Sequence, residues 1–238
     1  GGVAGSGKSA CLHAAVVSML MRTTPDDVRL LLIDPKRVEF PVYDGLPQLL
    51  APVISDAGPA RDALAWAAAQ LDAGYKALAR AEVRNLDEYN ALALARLGDV
   101  PAPEPPLPRL VIIIDEFADL IMQATAEVEY HVCRIAQLGR AVGVHLLIST
   151  VRPTAKVLTG QIRANIPTRI ALKQATAADS RVILDEAGAE RLQSRGDMLY
   201  FPLGAAGPSR AHGAFVTRED IVRVARFARS QCAPQYGQ

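Results

Sequence analysis

The chain is poor in aromatic residues, in lysine and in cysteine, and each scarcity narrows what it can be. Aromatics are 5% of its 238 residues while half are hydrophobic, so the core must be built from Ala, Val, Leu and Ile. The three cysteines, Cys11, Cys133 and Cys232, form no C-x-x-C pair. That excludes a disulfide scaffold and fits a reduced, cytoplasmic setting. None of the four histidines stands at metal-ligand spacing from another His or Cys. No secretory leader and no apolar run of membrane-spanning length is present, which leaves a membrane anchor elsewhere in a longer parent protein compatible with the chain. Formal net charge is +1 and lysine occurs only at positions 8, 36, 76, 156 and 173. Any surface for a polyanion must therefore be local and built mostly of arginine. There is no internal repeat, and no Asn-Lys-x-Asp run of the kind that reads guanine.

What is present begins at once. Gly2-Val3-Ala4-Gly5-Ser6-Gly7-Lys8-Ser9 reads G-x-x-x-x-G-K-S, the phosphate-binding loop of nucleotide hydrolases. Glycines let the backbone turn its N–H groups inward, so the amides from Gly2 through Ala10 can cradle phosphate oxygens. The following helix presents its positive end to the same anion. Lys8 can reach the β- and γ-phosphates, and the Ser9 hydroxyl can ligate Mg²⁺. Such a loop normally hangs from a buried strand, and no apolar run or initiator Met precedes it here. The chain thus reads as a fragment cut at the loop, with the strand before the phosphate loop missing and ATP turnover by the isolated piece expected to be poor.

Beyond the loop, the periodicity predicts alternating helices and strands. Helices are expected over Ser9–Arg22, Pro59–Arg80, Leu86–Leu97, Phe117–Arg140 and Glu219–Ser230. Apolar runs at Val28–Asp34, Leu110–Ile114, Val144–Thr150 and Thr168–Lys173 read as strands, with shorter ones at Asp197–Phe201 and Gly213–Val216. Residues 98–108 hold five prolines and read as an exposed, semi-rigid loop. The alternation predicts an α/β domain over residues 1–238, with a mainly parallel sheet flanked by helices and no second domain.

Ile112-Ile113-Ile114-Asp115-Glu116 is the second nucleotide motif. A buried strand carries Asp115 to the carboxyl edge of the sheet, where it can join Ser9 in a Mg²⁺ shell. Glu116 can polarise the attacking water. Both carboxylates would also cap the following helix at its positive end. Thr150 ends the next strand, where a hydroxyl can sense the γ-phosphate or make only a local hydrogen bond. Without a guanine motif, ATP is the favoured nucleotide.

Several further runs resemble the FtsK/SpoIIIE family of DNA translocases. They are Ile33-Asp34-Pro35-Lys36, Asp115–Leu120, Arg152-Pro153, Ala164–Ile170, Asp179-Ser180-Arg181, Gly196–Tyr200 and His212–Phe215, in the family's order and nearly end to end. The resemblance implies a RecA-like P-loop ATPase core, a homo-hexameric ring and double-stranded DNA pumped through its pore with ATP and Mg²⁺. It implies Lys8, Ser9, Asp115 and Glu116 at the ATP site and Arg140 as a finger toward the neighbouring subunit's γ-phosphate. A finger needs a planar cation that stays charged. It also implies Arg152, Arg163 and Arg181 as DNA contacts, although arginines in salt bridges would look alike. Phosphate contacts give affinity without sequence choice.

Two positions depart from the family pattern. Val151 stands where a Gln usually follows the sensor strand, and Ala177 where a pore-lining Lys is common, with Lys173 nearby. Two other readings therefore stand beside the translocase: a related ring ATPase that moves polypeptide in secretion, and a non-hydrolysing assembly subunit.

Overall fold

The computed structural model describes residues 1–96 and 105–237. Residues 98–104 of the proline-rich loop expected at 98–108 lie outside them, and residues 105–108 carry no regular structure.

Three strands form a parallel sheet in the order β1-β2-β3, with β1 Val28–Ile33, β2 Arg109–Ile114 and β3 Val144–Ile148. Alternate residues of one strand serve opposite cores. Leu31 and Ile33 of β1, with Ile112 and Ile114 of β2, pack under α2 (Ala57–Arg80) and α5 (Thr125–Leu138). Leu30, Leu32 and Ile113 pack on the other face, under α1 (Lys8–Leu20) and α8 (Arg218–Gln231). Burial on both faces is why these strands read as continuous apolar runs. Leu30, Leu64, Leu71 and Ile113 are fully buried, and truncating any one to Ala costs about 2–5 kcal/mol.

Register matters most for the site. Ile33 pairs with Ile114, and Ile114 with Ile148. The next residues, Asp34, Asp115 and Ser149, are therefore level at the carboxyl edge of the sheet.

The second half is antiparallel: β4 (Arg169–Leu172) pairs with β5 (Asp197–Phe201), and β5 with β6 (Ser209–His212). Residues 1–3 run between the two sheets. Gly2 N–H donates to Thr150 O at 3.2 Å, Leu172 N–H to Gly1 O at 2.9 Å and Val3 N–H to Lys173 O at 3.0 Å. Beside them lies a groove of about 700 Å³ lined in part by Leu146, Ile148, Ile170 and Leu172.

Three local features differ from the sequence reading. The helix expected over Phe117–Arg140 is two helices, α4 (Phe117–Ile121) and α5. The Gln123 side chain donates to Asp119 O at 2.9 Å while its backbone N–H goes to Leu120 O at 3.2 Å. That tightens and ends the turn. The last strand falls at Ser209–His212, not at Gly213–Val216. Ser209, Arg210, Ala211 and His212 are all exposed, so no apolar alternation marks them. Finally, α6 (Gly160–Asn165) and α7 (Ala177–Leu184) were not expected, although Thr176 and Asp179 form a capping box at the start of α7.

Candidate functional site: a phosphate loop facing two buried carboxylates

The phosphate loop is shaped by close packing. Gly7 caps α1 with φ +104°, a conformation that favours glycine, and a Cβ there would lie 2.5 Å from Gly196 N. Gly196 in turn donates its N–H to Ser6 O at 2.8 Å. Ser6 is fully buried, and its hydroxyl has no partner among the described residues. The loop is thus clamped on one side by the Gly196 turn, which borders the same cavity, and leaves its front open.

In front lies a cavity of about 790 Å³. Val3, Ala4, Gly5, Gly7, Lys8, Ser9 and Ala10 line it, and Asp115 and Glu116 face them from the end of β2. Gly2 is buried behind the loop against Ser6 and Leu172. The volume suits a small-molecule ligand of nucleotide size.

The charges are already paired. Lys8 Nζ contacts Asp115 Oδ1 and donates to Ser149 Oγ at 3.1 Å. Ser149 Oγ donates to Asp115 Oδ1 at 3.1 Å. Ser9 Oγ donates to Glu39 Oε1 at 2.6 Å, and Glu39 Oε2 meets His13 Nε2 at 3.1 Å. The hydrogen bonds from His13 and Ser9 hold the Glu39 carboxyl below the usual range against partial burial. Burial pushes the Cys11 thiol upward. Ser9 and Glu39 are bonded to each other and Asp115 lines the same cavity, and such hydroxyl and carboxylate oxygens are the hard donors that Mg²⁺ prefers.

Glu116 is 1% exposed and adopts φ +55°, ψ +67°, a left-handed conformation that costs a non-glycine residue energy. Thr150 Oγ1 donates to its Oε1 at 2.8 Å, and Val151 N–H reaches Oε1 at 3.3 Å and Oε2 at 3.2 Å. Val151 thus serves through its backbone. Lys36 Nζ lies 3.5 Å from Oε2. The Lys36 loop is fixed by the buried Asp34, whose carboxylate accepts from the N–H groups of Lys36 (3.2 Å), Glu39 (2.9 Å) and Phe40 (3.0 Å).

The arginines expected at a site are dispersed. Arg140 is exposed just past α5 and borders the groove between the sheets, not the phosphate-loop cavity. Arg152 is exposed and pairs with Asp119 at 3.3 Å. Arg163, on α6, is half-buried and tied to Asp185 at 2.8 Å. Arg181 is exposed on α7, and Ala177 opens that helix. Lys36, Glu39, Arg195 and Phe215 also line the cavity, and none of them had a role assigned from sequence. Lys36 and Phe215 stand inside quoted motifs. For Glu39 and Arg195, proximity to the loop arises only from the fold.

Together the clamped loop, the level carboxylates and the Thr150–Glu116 contact define a P-loop ATPase motor-domain fold. The chain belongs to the FtsK/SpoIIIE family, whose model matches residues 1–155. It is 45% identical to the DNA translocase FtsK of Streptomyces coelicolor over 99% of its length, covering 26% of that relative. To the DNA translocase FtsK of Bacillus cereus it is also 45% identical, over 99% of its length and 30% of the relative. Among solved structures, the pCW3 conjugation coupling protein TcpA with ATPγS superposes with a TM-score of 0.78 at 27% identity, over 97% of this chain and 63% of that one. The type VII secretion ATPase EccC of Thermomonospora curvata does so with a TM-score of 0.78 at 28% identity, over 99% of this chain and 28% of that one. Among the described residues no helix is long and apolar enough to cross a membrane.

Proposed function

We propose that this chain is the motor domain of an ATP-driven double-stranded DNA translocase. The observation that carries the reading is the buried Asp115–Glu116 pair opposite Lys8 and Ser9, in a chain 45% identical across nearly its whole length to DNA translocases. The secretion ATPase is 28% identical, which favours DNA over a polypeptide substrate.

Lys8 and the loop amides bind the triphosphate, and Lys8 leaves Asp115 to do so. Ser9 and Asp115 would hold Mg²⁺, with Glu39 bonded to Ser9 beside them. When bound, the metal neutralises charge on the phosphate oxygens. Glu116, held by Thr150 and the Val151 amide, orients and polarises the attacking water. Phe215, 82% exposed at the cavity, offers an aromatic face for the base. Arg140 lies away from this cavity, which suits a finger acting in trans on the nucleotide of an adjacent copy in a homo-hexameric ring. Arg152 and Arg181 present guanidinium groups to DNA phosphates. Arg163 joins them only by leaving Asp185.

The test is equilibrium binding of the full chain to linear double-stranded DNA across a salt series. Each phosphate contact removed lowers the slope of log affinity against log salt by about 0.9. Arg152→Ala and Arg181→Ala should each do so, uniformly across DNA sequences. An unchanged slope in the double variant removes both from the contact set.

A further inference from the structure

Glu116 has two carboxylate oxygens, and they are engaged differently. Oε1 takes the Thr150 hydroxyl at 2.8 Å. Oε2 faces the Lys36 ammonium at 3.5 Å. Lys36 does not belong to Glu116 alone. The same Nζ lies 3.6 Å from Asp119 Oδ2, and Asp119 Oδ1 accepts from Arg152 at 3.3 Å. Four charges of alternating sign therefore run in one line from an exposed guanidinium to a buried carboxylate: Arg152, Asp119, Lys36, Glu116.

The members differ in freedom. Glu116 is buried and its backbone strained, so it stays in place. Asp119 sits in α4 with Ala118 and Leu120 buried on either side of it. Lys36 is a flexible side chain 44% exposed, and Arg152 is 54% exposed. The mobile parts are thus the two cations, and Asp119 is shared between them.

We propose that Lys36 is a positioning residue that restrains Glu116, and that the Arg152–Asp119–Lys36 line couples polyanion binding to ATP hydrolysis. This rests on Arg152 contacting DNA phosphate. With Arg152 on Asp119, that carboxylate is partly satisfied, and Lys36 divides itself between Asp119 and Glu116. Oε2, the oxygen free of the Thr150 bond, is then covered by the ammonium and is a poor acceptor for the attacking water. When a phosphate takes Arg152, Asp119 keeps one cation instead of two and draws Lys36 fully to itself. Oε2 is freed of the ammonium and keeps only the Val151 N–H at 3.2 Å, which with Thr150 keeps the carboxylate aimed. The Lys36–Asp119 and Arg152–Asp119 pairs are partly exposed and weak, so exchange between these partners is easy. The two ends of the line need only a shared element with two arrangements, which Lys36 supplies.

The experiment measures steady-state ATP hydrolysis by the full-length protein that carries this chain with Mg²⁺, with and without linear double-stranded DNA, beside DNA binding by anisotropy. Wild type should be stimulated by DNA. Lys36→Met should raise the DNA-free kcat by about fivefold, leave KM for ATP in place and gain little from DNA. Lys36→Arg should restore the restraint and the stimulation. Asp119→Asn should still bind DNA through its freed Arg152 yet lose most of the stimulation, because nothing draws Lys36 away. A surface substitution at Lys36 should not move the melting temperature, so a folding defect is separable. Wild-type DNA-free kcat and wild-type stimulation in Lys36→Met would overturn the relay and leave the motor reading standing. A wild-type protein that binds DNA without any rise in turnover would overturn the DNA-driven motor and the relay with it. A chain that neither binds DNA nor responds to it would overturn the DNA-motor reading and the relay together.

Discussion

Thr150 Oγ1 donates a hydrogen bond to Glu116 Oε1 at 2.8 Å, joining the residue beyond β3 to the one that follows Asp115 beyond β2. Both groups are buried. A hydrogen bond to a charged group is worth about 1.5–3 kcal/mol. Thr150→Val keeps the shape and removes the donor, so kcat for ATP hydrolysis should fall about tenfold or more, with KM little changed. Thr150→Ser should recover most of the rate. Michaelis analysis of the three chains distinguishes this from a nucleotide-binding defect, which would raise KM instead.

Gly7 and Gly196 make the phosphate loop possible by standing almost in contact. A Cβ at Gly7 would meet Gly196 N at 2.5 Å, and φ +104° is unfavourable for any side chain. Gly7→Ala should cost about 1–3 kcal/mol of stability from the backbone strain. It should also displace the loop, so affinity for an ATP analogue should drop by more than the melting temperature explains. Isothermal titration beside thermal unfolding checks both.

Asp197 follows that same Gly196 turn. Its hydrogen bonds with Arg210, at 2.9 and 2.7 Å, and the Gln193 N–H at 2.7 Å hold its carboxyl down at about 2. A depressed carboxyl contributes stability that is complete above its unfolded value near 4 and is lost as pH falls toward 2. Arg210→Ala should shift the acid transition to higher pH and leave the neutral-pH fold intact. A pH series followed by circular dichroism reads the shift. An identical acid limb in both chains would show that the pair contributes nothing.

Much of the site was legible in the sequence because it is written in local code. The phosphate loop demands glycines at fixed spacing, and buried parallel strands are apolar on both faces, so Asp115 and Thr150 stood out at their ends. Four things were not legible. The break in the Phe117–Arg140 helix depends on one side chain, Gln123, taking the Asp119 carbonyl. Strand β6 is exposed, and no apolar alternation announces its pairing with β5. Glu39 reaches Ser9 because the buried Asp34 folds the intervening loop through three backbone N–H groups. The tie of Arg163 to Asp185 is a tertiary pairing that spacing does not announce.

Whether the nucleotide site serves a motor that works on double-stranded DNA is tested most directly by steady-state ATP hydrolysis of the full-length protein that carries this chain, with and without linear double-stranded DNA, beside Lys8→Ala as the control that removes phosphate binding. The expected result is turnover that rises with DNA and collapses in Lys8→Ala at every DNA concentration. Turnover that depends on Lys8 but is indifferent to DNA would contradict the motor and leave only an ATPase.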